Sequence, residues 1–151
     1  MISVNSPIYI RAAELPDYDT LHSMMREFAE FQKTPERMTL SAEQMKRDKD
    51  IFKCFVAVTA TEEIVGFSTW FFAYYSWTGK AVYMDDLYVV ESFRGRGVGS
   101  RLLHAVIELA KDSGCNKVKW QVSRWNESGI NYYKKMGATL DELEINCDLK
   151  I

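Results

Sequence analysis

Residues 80–106 join a β-like run, a glycine-rich loop and a helical pattern without a break, and this order narrows the possible folds. KAVYMDDLYVV (80–90) has the β-branched and aromatic content of a strand, and Gly95, Gly97 and Gly99 then alternate with other residues. The apolar residues after the loop recur on one helix face: Val98, Leu102, Val106, Leu109 and Ala110. A direct strand–loop–helix connection of this kind is typical of α/β architectures.

The remaining periodic segments predict one α/β domain over residues 1–151, with a mixed, partly antiparallel sheet and about four helices. Further β-like runs are IYIRAA, KCFVAVTA, IVGFSTWFFAYY, KVKWQVS and the tail ATLDELEINCDL. Apolar residues from Leu21 to Phe31 fall at helical spacing, a second helix begins near Ser41, and residues 126–138 form another. The predicted order is βααβββαβαβ, in which the three central strands form an antiparallel meander.

Composition and charge exclude several classes of function. The chain has 151 residues, 47% of them hydrophobic, and a formal net charge of −2, which offers no general electrostatic attraction to nucleic acid. Cys54, Cys115 and Cys147 match no zinc or redox spacing, so we expect no metal site. No apolar run has the length of a membrane span, and no secretion leader is visible at the start of the chain, so we expect a cytoplasmic protein.

The glycine-rich loop RGRGVG (94–99) is a candidate anion site. It lacks the closing Gly-Lys-Ser/Thr of a nucleotide-binding P-loop, and its alternating glycines differ from the dinucleotide fingerprint. The first amides of the following helix are unpaired within the helix, and glycines let the backbone approach an anion closely. With the positive charges of Arg94 and Arg96, a pyrophosphate is the natural ligand; the alternative is a merely tight strand-to-helix connection.

RGRGVG also fits the Gln/Arg-x-x-Gly-x-Gly/Ala pattern of the GCN5-related N-acetyltransferases, which this chain resembles over most of its length. VYMDDLYVVESFRGRGVGSRLL and WNESGINYYKKMGA look most like the diamine (spermidine/spermine) and thialysine acetyltransferase branch. The resemblance implies acetyl-CoA as co-substrate, a bulge near Leu87–Val89 that frees backbone amides, and contact from the NESG turn. The implied coenzyme-binding residues are Leu87, Tyr88, Val89, Arg94, Gly95, Arg96, Gly97, Val98, Gly99, Ser100, Asn126 and Ser128.

An attacking amine must first lose a proton, because an alkyl ammonium has a pKa of about 10.4. Asp85 and Asp86 are adjacent on a predicted strand, so regular geometry would point only one of them into a cleft. The resemblance makes Asp85 the amine-binding acid and a possible base acting through water. The alternative is that both aspartates are surface charges.

The departing thiolate of the coenzyme needs a proton, and the resemblance assigns that task to Tyr133 as general acid. A free thiol has a pKa of about 8.5 and a tyrosine one of about 10. Tyr132 lies about 100° away around the helix and faces elsewhere. Tyr133 packed in a core with its hydroxyl bonded is the alternative reading, and Asn126 can act as a helix cap as well as a coenzyme ligand.

The acceptor is predicted to be a small primary amine, such as a diamine, a lysine analogue or an amino acid. Asp85, Asp86, Glu27 and Trp77 form the expected substrate-binding set. Gln32 and Tyr75 stand where polyamine acetyltransferases carry acids, which weakens the match to a polyamine. The competing functions are N-acetylation of proteins or peptides and coenzyme binding without catalysis. The resemblance also implies a homodimer, with the aromatic stretch WFFAYYSW (70–77) as candidate interface.

Overall fold

A computed structural model describes residues 7–151, which divide into two compact units, one up to Trp120 and one from Gln121 to Ile151. The first unit contains five strands: β1 Ile8–Ala12, β2 Cys54–Thr59, β3 Ile64–Tyr75, β4 Gly79–Val89 and β5 Val118–Lys119. Its helices are α1 Tyr18–Phe31, α2 Ala42–Arg47 and α3 Val98–Asp112. The second unit contains α4, Glu127–Lys135.

The sheet has the strand order β1-β2-β3-β4-β5. Its first four strands pair antiparallel, and β5 pairs parallel to β4. The mixed α/β class with a central meander is therefore confirmed. Parallel pairing of β4 with β5 requires a crossover, and α3 supplies it.

Helices cover both faces of this sheet. The apolar stripe of α1, with Leu21, Met24 and Met25, packs with Met45 of α2 and the β2 side chains Val56 and Val58. On the other face, Val98 and Leu102 of α3 pack with Ala57 and Val65. Each stripe was visible in the sequence as a 3.6-residue repeat, and burying it holds the helix on the sheet.

A side-chain cap begins α2, and an ion pair lies just before α1. Ser41 accepts a hydrogen bond from the Gln44 amide at 3.1 Å, as the sequence predicts for the start of α2. Arg11 of β1 pairs with Asp17 at 2.7 Å, and Asp17 also accepts from the Glu14 amide. These contacts tie the end of β1 to the start of α1.

The last predicted strand is wrong, because residues 139–151 form no strand in the structure. The tail has the alternation of a strand, but a strand also needs a ladder partner, and the side chains of Leu143, Ile145 and Leu149 are about 90% exposed or more. The strand predicted over 117–123 is only two residues long, β5. The observed order is βααβββαβα.

Candidate active site

A β-bulge in β4 places Asp85 and Asp86 in the same pocket. Thr69 of β3 pairs with Asp86 while Trp70 pairs with Met84, so Asp85 is an extra residue with no partner in this ladder. The Thr69 hydroxyl accepts the Asp86 amide at 3.0 Å. Both aspartates line the pocket, because the bulge breaks the alternation by which a regular strand would point only one of them into it.

The pocket has a volume of about 560 Å³, within the range of small-molecule sites. Its floor is the edge of β3 and β4, and its walls are α1 and the segment that connects α1 to α2. Most of its lining is apolar: Met25, Phe28, Met38, Leu40, Phe52 and Phe71. The polar lining residues besides the two aspartates are Gln32, Thr34, Arg37, Lys53 and Thr69.

The two aspartates differ in their electrostatic surroundings. Burial, with a smaller contribution from the charge of Asp85, raises the pKa of Asp86 to about 7. Burial also raises the pKa of Asp85, although its side chain retains more exposure to solvent than that of Asp86. Asp86 is therefore the carboxyl group whose pKa lies near neutral pH, which suits a general base.

The loop between β4 and α3 has the backbone of an anion cradle. Gly95 and Gly97 have φ angles of +73° and +76°, the left-handed region that favours glycine. A Cβ added at either position would meet no atom within 4 Å, so both glycines face open space. Gly97 is the N-cap of α3 and provides no side-chain cap, and the helix amides that follow it begin at Val98. These features fit a pyrophosphate at the N-terminus of α3.

The Arg94 side chain contacts neighbouring parts of the protein and so stabilises this loop. Its Nε donates to the Val89 carbonyl at 2.8 Å, and its guanidinium lies over the rings of Phe31 and Tyr88 at 4.5 and 5.5 Å. Arg94 thereby joins the end of α1 to the start of the loop. The Arg96 guanidinium lies 4.9 Å from the ring centre of Phe93.

The edge of β4 beyond the bulge offers backbone amides on the side away from β3. The ladder with β5 contains only Val82–Val118 and Tyr83–Lys119 among the described residues. The amides of Asp86 and Val90 donate toward β3. Since successive amides alternate in direction, those of Leu87 and Val89 point to the opposite edge.

The structure corrects two details of the predicted bulge in β4 and of the backbone amides that it frees. The bulge lies at Asp85, two residues before the predicted Leu87–Val89. By the same alternation, the Tyr88 amide points to β3, and its ring is buried in the core beside Phe28 and Phe67. Only Leu87 and Val89 of the three predicted residues offer amides at the edge.

The second unit contains the predicted acid. Asn126 caps α4 by accepting the Gly129 amide at 3.0 Å, so its capping role is present. Tyr133 is half-buried and packs edge-on against Tyr132, with ring centres 5.6 Å apart. Burial, followed by the neighbouring Tyr132, raises the pKa of Tyr133 and keeps its hydroxyl protonated at neutral pH. Ser128 lies exposed in the first turn of α4.

Two residues expected to bind substrate do not line the pocket. Trp77 lies in the turn between β3 and β4 with its side chain 97% exposed. Glu27 is on the exposed side of α1 and accepts the Tyr88 hydroxyl at 3.4 Å. Conversely, sequence analysis did not single out Thr69 or Arg37. The role of Thr69 depends on how β3 pairs with β4, which the sequence of one strand does not show. Arg37 lies in a segment without periodicity, so no sequence pattern identified it.

Within residues 7–151, no three histidine, cysteine, aspartate or glutamate side chains form a group that could hold a metal ion. In the same range, no helix is both long and apolar enough to cross a bilayer.

The sequence of residues 18–138 matches the model of the acetyltransferase (GNAT) family. The chain belongs to the GNAT family. It is 35% identical over 140 residues to the thialysine N-epsilon-acetyltransferase of Mus musculus, covering 85% of this chain and 82% of that protein. It is 32% identical over 139 residues to the spermidine/spermine N(1)-acetyltransferase-like protein 1 of Homo sapiens, covering 85% of this chain and 20% of that protein.

Solved structures show the same GNAT fold. An aminoglycoside acetyltransferase, meta-AAC0020, from an uncultured soil sample superimposes with a TM-score of 0.77. The superposition covers 95% of this chain and 96% of that one, at 18% identity. The protein is thus a GNAT acetyltransferase, and acetyl-CoA is the acetyl donor that the family uses.

Proposed function

We propose that this acetyltransferase transfers the acetyl group of acetyl-CoA to a small primary amine, which attacks the thioester directly in a ternary complex. The observation that carries the proposal is the pair Asp85 and Asp86 in one pocket, brought there by the β4 bulge. Two carboxylates attract an ammonium and provide a site for its proton. The names of the thialysine and spermidine/spermine relatives, both amine acetyltransferases, support the same class of acceptor.

In the proposed reaction, Asp85 binds the incoming ammonium and Asp86 accepts its proton, directly or through water. The neutral amine attacks the thioester carbonyl, a C–N bond forms and the C–S bond breaks, and the second proton that the nitrogen loses replaces the one that Tyr133 gives to the sulfur. Amides of Leu87 and Val89 are the proposed donors to the pantetheine arm and the acetyl oxygen. The Gly95–Gly99 loop holds the pyrophosphate. Asp86 replaces Asp85 as base because its pKa of about 7 is the better match to neutral pH.

The departing thiolate receives a proton from Tyr133, a role that rests on the resemblance to the family. A phenol with a raised pKa is a weaker acid than a thiol, so transfer to a free thiolate would be uphill. This uphill transfer proceeds because the conversion of the thioester and amine into an amide and a thiol is favourable as a whole. The raised pKa also ensures that the proton is present at the start of each turnover.

Release of coenzyme thiol from acetyl-CoA, measured across small amines and peptides with free N-termini, tests the acceptor class. We expect turnover with small primary amines. Turnover on peptide N-termini alone would refute the proposal, and binding of acetyl-CoA without any turnover would instead indicate a non-catalytic coenzyme-binding protein.

The assignment of the base has its own test. Asp86→Asn should lower kcat/KM by about a hundredfold and remove the rise of kcat/KM as pH increases through about 7. Asp112→Asn, an exposed aspartate at the end of α3, is the matched control. If Asp86→Asn kept the pH profile, Asp86 would lose the role.

We also propose that the protein is a cytoplasmic homodimer. The exposed aromatic side chains Phe71, Phe72, Tyr74 and Trp77 lie on the β3–β4 hairpin and provide the kind of residue that subunit interfaces favour. Light scattering should give twice the 17.5 kDa mass of one chain. A monomer at assay concentrations would refute the dimer, and fractionation of the source cells tests the compartment.

A further inference from the structure

The acceptor pocket carries unequal charge on its two sides. Asp85 and Asp86 lie on its β4 floor, and no other acidic residue of the described part lines it. The segment between α1 and α2, which forms the outer wall, contributes Arg37. An acceptor bound by its reacting amine at the floor therefore extends its far end toward a wall that carries positive charge.

Arg37 is available to a ligand. It closes the short helical turn Pro35–Arg37, where its amide donates to the Thr34 carbonyl. Its side chain is exposed and forms no ion pair or hydrogen bond with any other residue that the structure describes. A guanidinium presents paired N–H donors in the geometry of a carboxylate.

Lys53, the other cation of the lining, lies on a different segment from Arg37. It directly precedes β2, and its carbonyl accepts the Trp70 amide, so it continues the ladder. Cys54 packs in the core beneath α1 and α2. Lys53 lines the pocket from the start of β2, whereas Arg37 lines it from the segment between α1 and α2.

Much of the pocket lining besides these charged groups is apolar. Phe28, Met38 and Phe52 belong to this apolar part. Such a wall suits a methylene chain and provides no partner for a charge along its length. Gln32 and Thr34 add neutral hydrogen-bonding groups beside Arg37, and no carboxylate there can neutralise a second ammonium.

We propose that Arg37 determines specificity by selecting an amine whose far end carries a carboxylate and by repelling a second ammonium. An ω-amino carboxylate, whose far end is a carboxylate without a second ammonium, meets both requirements, whereas a diamine or polyamine brings positive charge to Arg37. This inference rests on the proposed transfer to a small amine and chooses among the acceptors that it allows.

Three acceptors that share a six-carbon chain provide the test: aminohexanoate, hexylamine and hexamethylenediamine. Their far ends are anionic, apolar and cationic. The readout is the ratio of kcat/KM between acceptors within one enzyme variant, which does not depend on the fraction of correctly folded enzyme. The wild-type enzyme should prefer aminohexanoate to the diamine, and added salt should weaken that preference.

Arg37→Gln should lower the ratio of aminohexanoate to hexylamine by about tenfold, the loss expected for one charge-assisted contact. Arg37→Glu should reverse the preference toward hexamethylenediamine. Arg47→Gln removes an equal charge from the exposed surface of α2, outside the pocket, and should leave the ratio unchanged.

The outcomes separate this inference from the function on which it rests. If all three amines are acetylated but the ratio is the same in wild type, Arg37→Gln and Arg37→Glu, the role of Arg37 is refuted and transfer to small amines stands. An equal fall in the ratio for Arg37→Gln and Arg47→Gln would show a general charge effect and also refute it. If none of the amines is acetylated, the proposed function fails and the inference fails with it.

Discussion

Asp86 combines burial, a like-charged neighbour and a position in the pocket, and this combination has a cost in stability. Its pKa of about 7 in the folded protein lies well above the value near 4 of an unfolded aspartate. Between those two pH values the folded state binds more protons than the unfolded state. Stability therefore falls as pH rises from about 4 to 7, and the full cost is present above pH 7.

Asp86→Asn should consequently stabilise the protein at pH 8 while it lowers activity. The expected gain in the free energy of unfolding is about 1–3 kcal/mol, since the neutral amide is not penalised for burial as the charge is. Urea unfolding at pH 8 and at pH 4 measures it, and the gain should vanish at pH 4. If the variant were no more stable than the wild type at pH 8, the charged form of Asp86 would not destabilise the folded protein, and this prediction would be wrong.

The sequence predicted best those site residues whose side-chain type itself indicates a chemical role. The adjacent aspartates, the glycines and Tyr133 each have a chemistry that can be named without coordinates, and the glycine loop has the backbone expected for it. Arg37 has no such signature, because an exposed arginine in a non-periodic segment looks like any solvated charge. Its significance comes from the pocket that the surrounding segment forms.

At the scale of elements, the bulge in β4 depends on its partner strand. The Thr69 hydroxyl replaces the ladder acceptor for the Asp86 amide at the position where Asp85 is inserted. A bulge is a property of the register between two strands, and the pattern of one strand does not specify it. For this reason the sequence predicted a bulge from family resemblance but misplaced it by two residues.

Thr69→Val should destabilise the protein and reduce catalysis, because it removes the acceptor and leaves the Asp86 amide unpaired. The expected loss of stability is about 1–3 kcal/mol, with a fall in kcat as the two aspartates lose their fixed position. Thr69→Ser keeps the hydroxyl and should restore both properties in large part. Denaturant unfolding and steady-state kinetics measure them, and equal behaviour of the valine and serine variants would contradict the role of the hydroxyl.

The loop before α3 allows a separate test with a built-in control. Gly97→Ala forces a side chain into the left-handed region and places a methyl group in the open space of the cradle. We expect acetyl-CoA to bind about tenfold more weakly by calorimetry. Gly114→Ala, at the other end of α3, has a similar φ of +69° and similarly open surroundings. Gly114→Ala therefore introduces a similar backbone strain but should leave the affinity for acetyl-CoA unchanged.

At the scale of the whole molecule, the two units differ in how far the sequence predicts them. The first unit has long strands, two amphipathic helices and a meander, all local patterns that periodicity reveals. From Gln121 onward only α4 is regular, and the alternating tail remains without a ladder. Alternation gives a segment the capacity to form a strand, while a partner edge, which the sequence does not encode locally, decides whether it does.

Tyr133, the proposed acid, belongs to the second unit, and the aspartate pocket and the glycine loop belong to the first. Tyr133→Phe keeps the ring and removes only the hydroxyl, so it should lower kcat by about tenfold to a hundredfold and leave acetyl-CoA affinity nearly unchanged. Tyr132→Phe removes the neighbouring, more exposed hydroxyl and is the matched control. Single-turnover measurements ensure that the chemical step is observed. An undiminished chemical rate in Tyr133→Phe, or an equal loss in both variants, would remove Tyr133 from the mechanism and leave the first unit to carry the chemistry alone.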